Sequence, residues 1–206
     1  MAWERWTVVY VRHFEILHDL GNYAKSPSFY VHAGTPPQHF QVLPPLNSQT
    51  IYISRASDCE SISITNCSAS RGAEVLTSNS SSATSTSYGF QPNASTTWQE
   101  LGQYKLKPGT QFELDGTSLY GYDSVGISFV GNANDNLTLE GQAVGAYSTP
   151  SEIGLSRLWL GRLGLSQSDM TINDMVRPVS FLHALKQKGH IPSLSYGYQA
   201  GAAYRE

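Results

Sequence analysis

Apolar side chains in this sequence alternate with polar ones over short runs, and Gly, Pro or Asn ends each run before a helical period can establish itself. Residues 28–33 (Ser-Phe-Tyr-Val-His-Ala) show the pattern, with Phe29, Val31 and Ala33 on one side of an extended chain. Gly34-Thr35-Pro36-Pro37 follows as a turn, and residues 40–43 resume extended structure, which predicts a β-hairpin. Pro44-Pro45 stops the ladder, because neither residue can donate a backbone hydrogen bond. Further strands are expected over 50–53, 103–106, 111–114, 124–130 and 158–163. Residues 1–27 show no clear period, and 77–97 hold 12 Ser/Thr and no charge, which reads as a long exposed loop.

One segment carries a helical period. Phe181, Leu182 and Leu185 form an apolar face, Pro178 suits the first turn, Lys186 and Lys188 lie at the negative end, and Gly189 can close the helix. Many short strands and one short helix near the C-terminus define a mainly β fold. At 206 residues there is room for about one domain. The 18 Gly, 10 Pro and 12 Tyr agree with a turn-rich β protein.

Charge narrows the function. Charged residues are 14% of the chain, against about 25% in an average soluble domain, and the net charge is −3. No basic face is available for nucleic acid. The longest apolar run near the start, Trp6 to Val11, is too short for a membrane span or a signal-peptide core, so no signal peptide is visible in this chain. There is no Gly-x-Ser-x-Gly elbow, His-Glu-x-x-His, Cys-x-x-Cys or phosphate-cradling loop, so no cofactor and no metal is expected. His32 and His39 flank the Gly34–Pro37 turn and can face each other across the hairpin, where two surface histidines are the expected case. Cys59 and Cys67, eight residues apart, read as a small disulfide loop. Asn66, Asn79, Asn93 and Asn136 begin Asn-x-Ser/Thr sequons and are glycosylation candidates.

The stretch Phe29-Tyr-Val-His-Ala-Gly-Thr-Pro-Pro-Gln-His-Phe-Gln-Val-Leu43 resembles the start of the N-terminal lobe of pepsin-type aspartic peptidases. Other landmarks follow in order: Asp58-Cys59 with Cys67, Arg71-Gly72, Ser95-Thr96-Thr97-Trp98, Tyr120-Gly121-Tyr122-Asp123-Ser124-Val125, Leu160-Gly161-Arg162-Leu163-Gly164-Leu165, and Ile191-Pro192-Ser193-Leu194-Ser195-Tyr196. The wording is most similar to a divergent branch of fungal secreted members. The resemblance covers 23–206 and implies a single lobe of the double-lobed acid-protease β fold, preceded by an irregular segment over 1–22, with the second lobe absent. It implies a secreted or cell-surface protein and a disulfide between Cys59 and Cys67.

Peptidases of this family use two carboxylates that share one proton, one from each lobe. In this chain the position of the first Asp falls on Pro45, within Pro45-Leu46-Asn47-Ser48. Between Asp19 and Asp58 there is neither Asp nor Glu, so no shift of register restores a carboxylate, and no Asp-Thr/Ser-Gly occurs elsewhere. The resemblance therefore implies a pseudopeptidase that keeps a cleft face: Pro45 to Ser48 at its centre, Tyr104 as a flap remnant, and Leu160, Gly161 and Leu163 along the floor. Its expected partners are a peptide, a missing second lobe, or a second copy meeting it through that face. Two alternatives stand beside it, an endopeptidase active only with a second lobe or partner, and a structural or adhesive cell-surface glycoprotein.

Overall fold

A computed structural model of the chain describes residues 12–15, 25–44, 49–55, 89–105, 117–127, 137–147, 161–166, 171–173 and 176–195. The fold is mainly β. The strands are β1 (Arg12–Glu15), β2 (Lys25–Ala33), β3 (Gln38–Leu43), β4 (Ile51–Ser54), β5 (Gln99–Lys105), β6 (Thr117–Ile127), β7 (Leu137–Tyr147) and β8 (Gly161–Leu163). They pair in the order β1-β2-β3-β8-β4-β7-β6-β5. A further pairing of β2 with β6 joins the two ends of the central six strands, so the sheet curls into a barrel-like ring. β1 and β5 extend from it as outer strands.

The hairpin of β2 and β3 forms where Gly34 and the two prolines dictate, with Gly34 at φ +87°. β3 ends at Leu43, ahead of the paired prolines. β6 and β7, each of 11 residues, make the longest pairing, bulged between Asp123 and Val125. Alternation then sorts their side chains: Val125 and Ile127 on β6 and Val144 and Ala146 on β7 enter the main core with Val31, Phe40, Val42, Ile51, Ile53 and Leu163. All six ring strands contribute to this one core, which is why the ring is held by burial and not by its ladders alone.

The helix α1 (Phe181–Gln187) lays Phe181, Leu182, Ala184 and Leu185 on that core. Ser180 is its N-cap and accepts from the His183 amide, so Pro178 lies before the cap and not in the first turn. Gly189, at φ +75°, follows the C-terminus as the sequence requires. Among the described residues no helix is long and apolar enough to cross a membrane.

Two elements depart from the sequence reading. Arg12–Glu15 forms β1 within the segment that showed no period, because pairing with Lys25–Ser28 supplies what local pattern does not. The Ser/Thr-rich stretch is not a loop to its end. Phe90 is 1% exposed and stacks edge-on with Phe40 and Trp98, and Ser95 is buried.

Candidate functional site

The degenerate quartet Pro45-Leu46-Asn47-Ser48 lies outside the described residues, but its two ends are fixed. Chain enters the connection from β3 and leaves it into β4, and β8 lies between these strands, parallel to β3 and antiparallel to β4. Val42 opposes Gly161, Leu43 and Tyr52 both oppose Arg162, and Ile51 opposes Leu163. β8 therefore bridges the strands on either side of that connection. Gly161 is buried, and Leu163 is 1% exposed and part of the main core. A Cβ on Gly161 would meet the Tyr52 carbonyl at 2.5 Å, so only glycine lets β8 wedge in at this point. Leu160 lies outside the described residues.

Arg162 is on the other face of β8 and is 4% exposed. Burial pushes its guanidinium pKa down, and the nearby Tyr147 and Tyr52 hydroxyls oppose that shift. The tyrosines make a cluster of their own on the sheet face that Arg162 shares. Tyr52 meets Tyr120 and Tyr147 edge-on, at ring-centroid distances of 6.2 and 6.3 Å. Tyr52 and Tyr120 share a hydroxyl–hydroxyl bond of 2.8 Å, Tyr120 donates onward to the Lys105 carbonyl, and Ser54 donates to the Tyr147 hydroxyl. The close approach is possible because Gly145 faces the Tyr52 ring; a Cβ there would sit 2.7 Å from it.

Tyr104 joins this cluster. It is half-buried on β5, its ring is 6.0 Å from that of Tyr120, and its hydroxyl donates to the Leu101 carbonyl. The structure thus brings Tyr104 and β8 together through Tyr120 and Tyr52. Of the residues singled out in the sequence only Tyr104 belongs to this cluster; Leu163 lies in the main core, and Tyr52, Tyr120, Tyr147 and Arg162 were missed. The two-residue spacing of Tyr120 and Tyr122, both in the cluster, was a usable signal, since it sets them on one side of an extended chain. Nothing comparable marks Tyr147, because 137–147 does not read as a strand. Replacing Tyr52 by Phe is expected to cost about 1–1.5 kcal/mol, measured by urea unfolding, since it leaves the buried Tyr120 hydroxyl one partner short.

A second polar cluster clamps the hairpin turn. Asp123 is 1% exposed, and its Oδ1 accepts from Ser95 Oγ, Thr97 Oγ1 and the Ser124 amide. Ser95 Oγ also accepts from the Thr35 amide at 3.0 Å, and the Thr96 amide donates to the Thr35 carbonyl at 2.8 Å. The Gly34 amide donates to the Ser124 carbonyl. Three segments distant in sequence are tied together here.

Of the glycosylation candidates, Asn93 is exposed on a short 3-10 turn, Pro92–Ala94, while the Ser95 of its sequon is held in the clamp. Asn66, Asn79 and Asn136 lie outside the described residues, as do Cys59 and Cys67. His32 and His39 are directly opposed across the hairpin, as the turn predicted, with ring centroids 5.8 Å apart. They are not two surface groups, because His32 is 6% exposed. Among the described residues no group of three or more His, Cys, Asp or Glu could hold a metal ion.

No protein-family model matches the chain, and no curated protein is similar enough to it to count as a match.

Proposed function

We propose that the chain is a non-catalytic relative of the aspartic peptidases, a pseudopeptidase lobe that keeps a peptide-binding face, secreted or displayed at the cell surface. One observation carries this reading. The landmarks of the family's N-terminal lobe occur in order, yet the interval from residue 20 to residue 57 contains no carboxylate. A shared-proton dyad needs two acids, and proline at position 45 has no ionisable group.

Where β8 pairs with β3 and β4, the described residues Leu43, Gly161, Arg162, Leu163 and Tyr52 bring one cation and one hydroxyl but no acid. A tyrosine hydroxyl is no substitute for a carboxylate pair that shares one proton.

The purified chain is expected to show no cleavage of a denatured protein substrate between about pH 2 and 7 that pepstatin abolishes, because no dyad exists to set the pH range. Pepstatin-sensitive turnover in the purified protein would overturn the reading.

A further inference from the structure

We infer that His32 and His39 form an acid-sensitive latch on the seam between β2 and β6, where the sheet closes on itself. The inference starts from the geometry of the seam and does not depend on the family resemblance. The ring is completed by three residue pairs, Val31 with Ile127, His32 with Gly126 and Ala33 with Val125. His32 is the middle member. By contrast β6 and β7 are zipped through nine pairs, from Ser118 with Tyr147 to Ile127 with Leu137.

His32 stands in a row that crosses four strands: His39 on β3, His32 on β2, Gly126 on β6 and Thr138 on β7 are successive partners in register. The His32 ring lies over Gly126, where a Cβ would be 2.3 Å from its Cε1. Its Nε2 reaches Thr138 Oγ1 at 2.8 Å. One side chain thus spans β6 and stitches β2 directly to β7. Val31 and Ala33, on the opposite face, are completely buried in the main core, so what happens at His32 acts on the backbone that positions them.

Protonation leaves the Thr138 bond intact, because an imidazolium Nε2–H still donates. What it adds is a charge in a closed site, with a second imidazole 5.8 Å away that gains the same charge over the same range. Burial lowers the pKa of both rings below the usual imidazole value, and His39 lowers that of His32 further. Among the described residues, the strands in register with His32 set Gly126 and Thr138 beside it and no acid. β6 presents Gly126, with Asp123 three residues back and engaged in the turn clamp; β7 presents Thr138, with the exposed Glu140 two residues on. The sign follows. Above the imidazole value of about 6.5 both rings are neutral, open or closed, and the seam has its full stability. As pH falls below that value the open state takes up protons that the closed state refuses, and closure is lost progressively down through the lowered values.

Amide protection factors, corrected for intrinsic exchange and measured on the full chain at pH 7.5 and 5.0, test the latch. The amides of Val31 to Ala33 and of Val125 to Ile127 are expected to lose protection severalfold at pH 5.0, up to about 30-fold for a ring that takes no proton in the closed state while its open state titrates near 6.5. The β6–β7 pairs around Tyr120 and Gly145 are expected to hold theirs. In His32→Gln that loss should shrink to the share of His39, and in His39→Gln, which keeps the buried ring and guards against a folding defect in the first variant, it should be reduced. Unchanged seam protection at pH 5.0 in the wild type would overturn the latch. So would an equal loss in β6–β7, which means global unfolding, or a pH response that both variants leave intact.

Discussion

Replacing Asp123 with alanine is expected to destabilise the fold by about 3–4 kcal/mol, since each hydrogen bond to a buried charged group is worth about 1.5–3 kcal/mol and neighbouring bonds do not add fully. Three donors converge on its Oδ1, and two of them, Ser95 and Thr97, come from the segment that the clamp holds against the hairpin turn. Alanine leaves the Ser124 amide without its side-chain acceptor and removes the two hydroxyl bonds that tie residues 95–97 to β6, with the Thr97 hydroxyl keeping only Thr35 and Ser95 as partners. Asparagine is the informative control. It keeps an oxygen at the Oδ1 position and turns Oδ2, which has no hydrogen-bond partner among the described residues, into an amide group with two donors to satisfy. Its expected cost is smaller, about 1–2 kcal/mol. Urea unfolding with an unchanged m-value gives both numbers. A loss below about 1 kcal/mol for Asp123→Ala would show that the turn is held by its own residues and not by the clamp.

Gly126→Ala is expected to be nearly as damaging, although it adds a single methyl group. That methyl would lie 2.3 Å from His32 Cε1 and 2.3 Å from the Leu137 carbonyl oxygen. The ring could swing away, but a backbone carbonyl within the β6–β7 ladder cannot move without breaking the pairing of Ile127 with Leu137. Overpacking usually costs about 1–3 kcal/mol, and the fixed carbonyl puts this case at the upper end. For a chain of this size that is a fall in Tm of roughly 6–12 °C. The double variant His32→Ala/Gly126→Ala separates the two clashes. It should recover only part of the loss, because removing the ring does nothing for the carbonyl. Full recovery would assign the whole clash to the histidine, and no loss in Gly126→Ala itself would mean the seam is looser than the structure has it.

Much of the hairpin, β3, β4, the short β8 and helix α1 was legible because each carries its own signal. Gly34 and the prolines punctuate the chain, and Phe181, Leu182 and Leu185 repeat at helical spacing. β7 was not legible. Its run Leu-Thr-Leu-Glu-Gly-Gln-Ala-Val-Gly-Ala-Tyr holds two glycines and small side chains, which read as turn material when taken alone. In the sheet Gly145 serves the opposite purpose, since its missing side chain admits the Tyr52 ring. The candidate site was legible at its edges for the same reason. Tyr104 and the Gly161–Leu163 segment stood out against a motif, whereas Tyr52, Tyr120, Tyr147 and Arg162 become a cluster only when β4, β6, β7 and β8 are placed side by side.

By itself the sequence determined that the chain is mainly β, where its first hairpin turns, where its helix stops, and that the interval between Asp19 and Asp58 brings no carboxylate to any site. These are local or compositional properties, set by backbone sterics, by side-chain period and by which groups can ionise. Only the tertiary structure decided that β2 closes on β6, that His32 is buried there across Gly126, and that Asp123 holds a hairpin turn far upstream of it in the chain. Each depends on which strands become neighbours. That choice is made by burying the apolar faces of all six ring strands in one core, a cooperative gain that no short window of sequence contains.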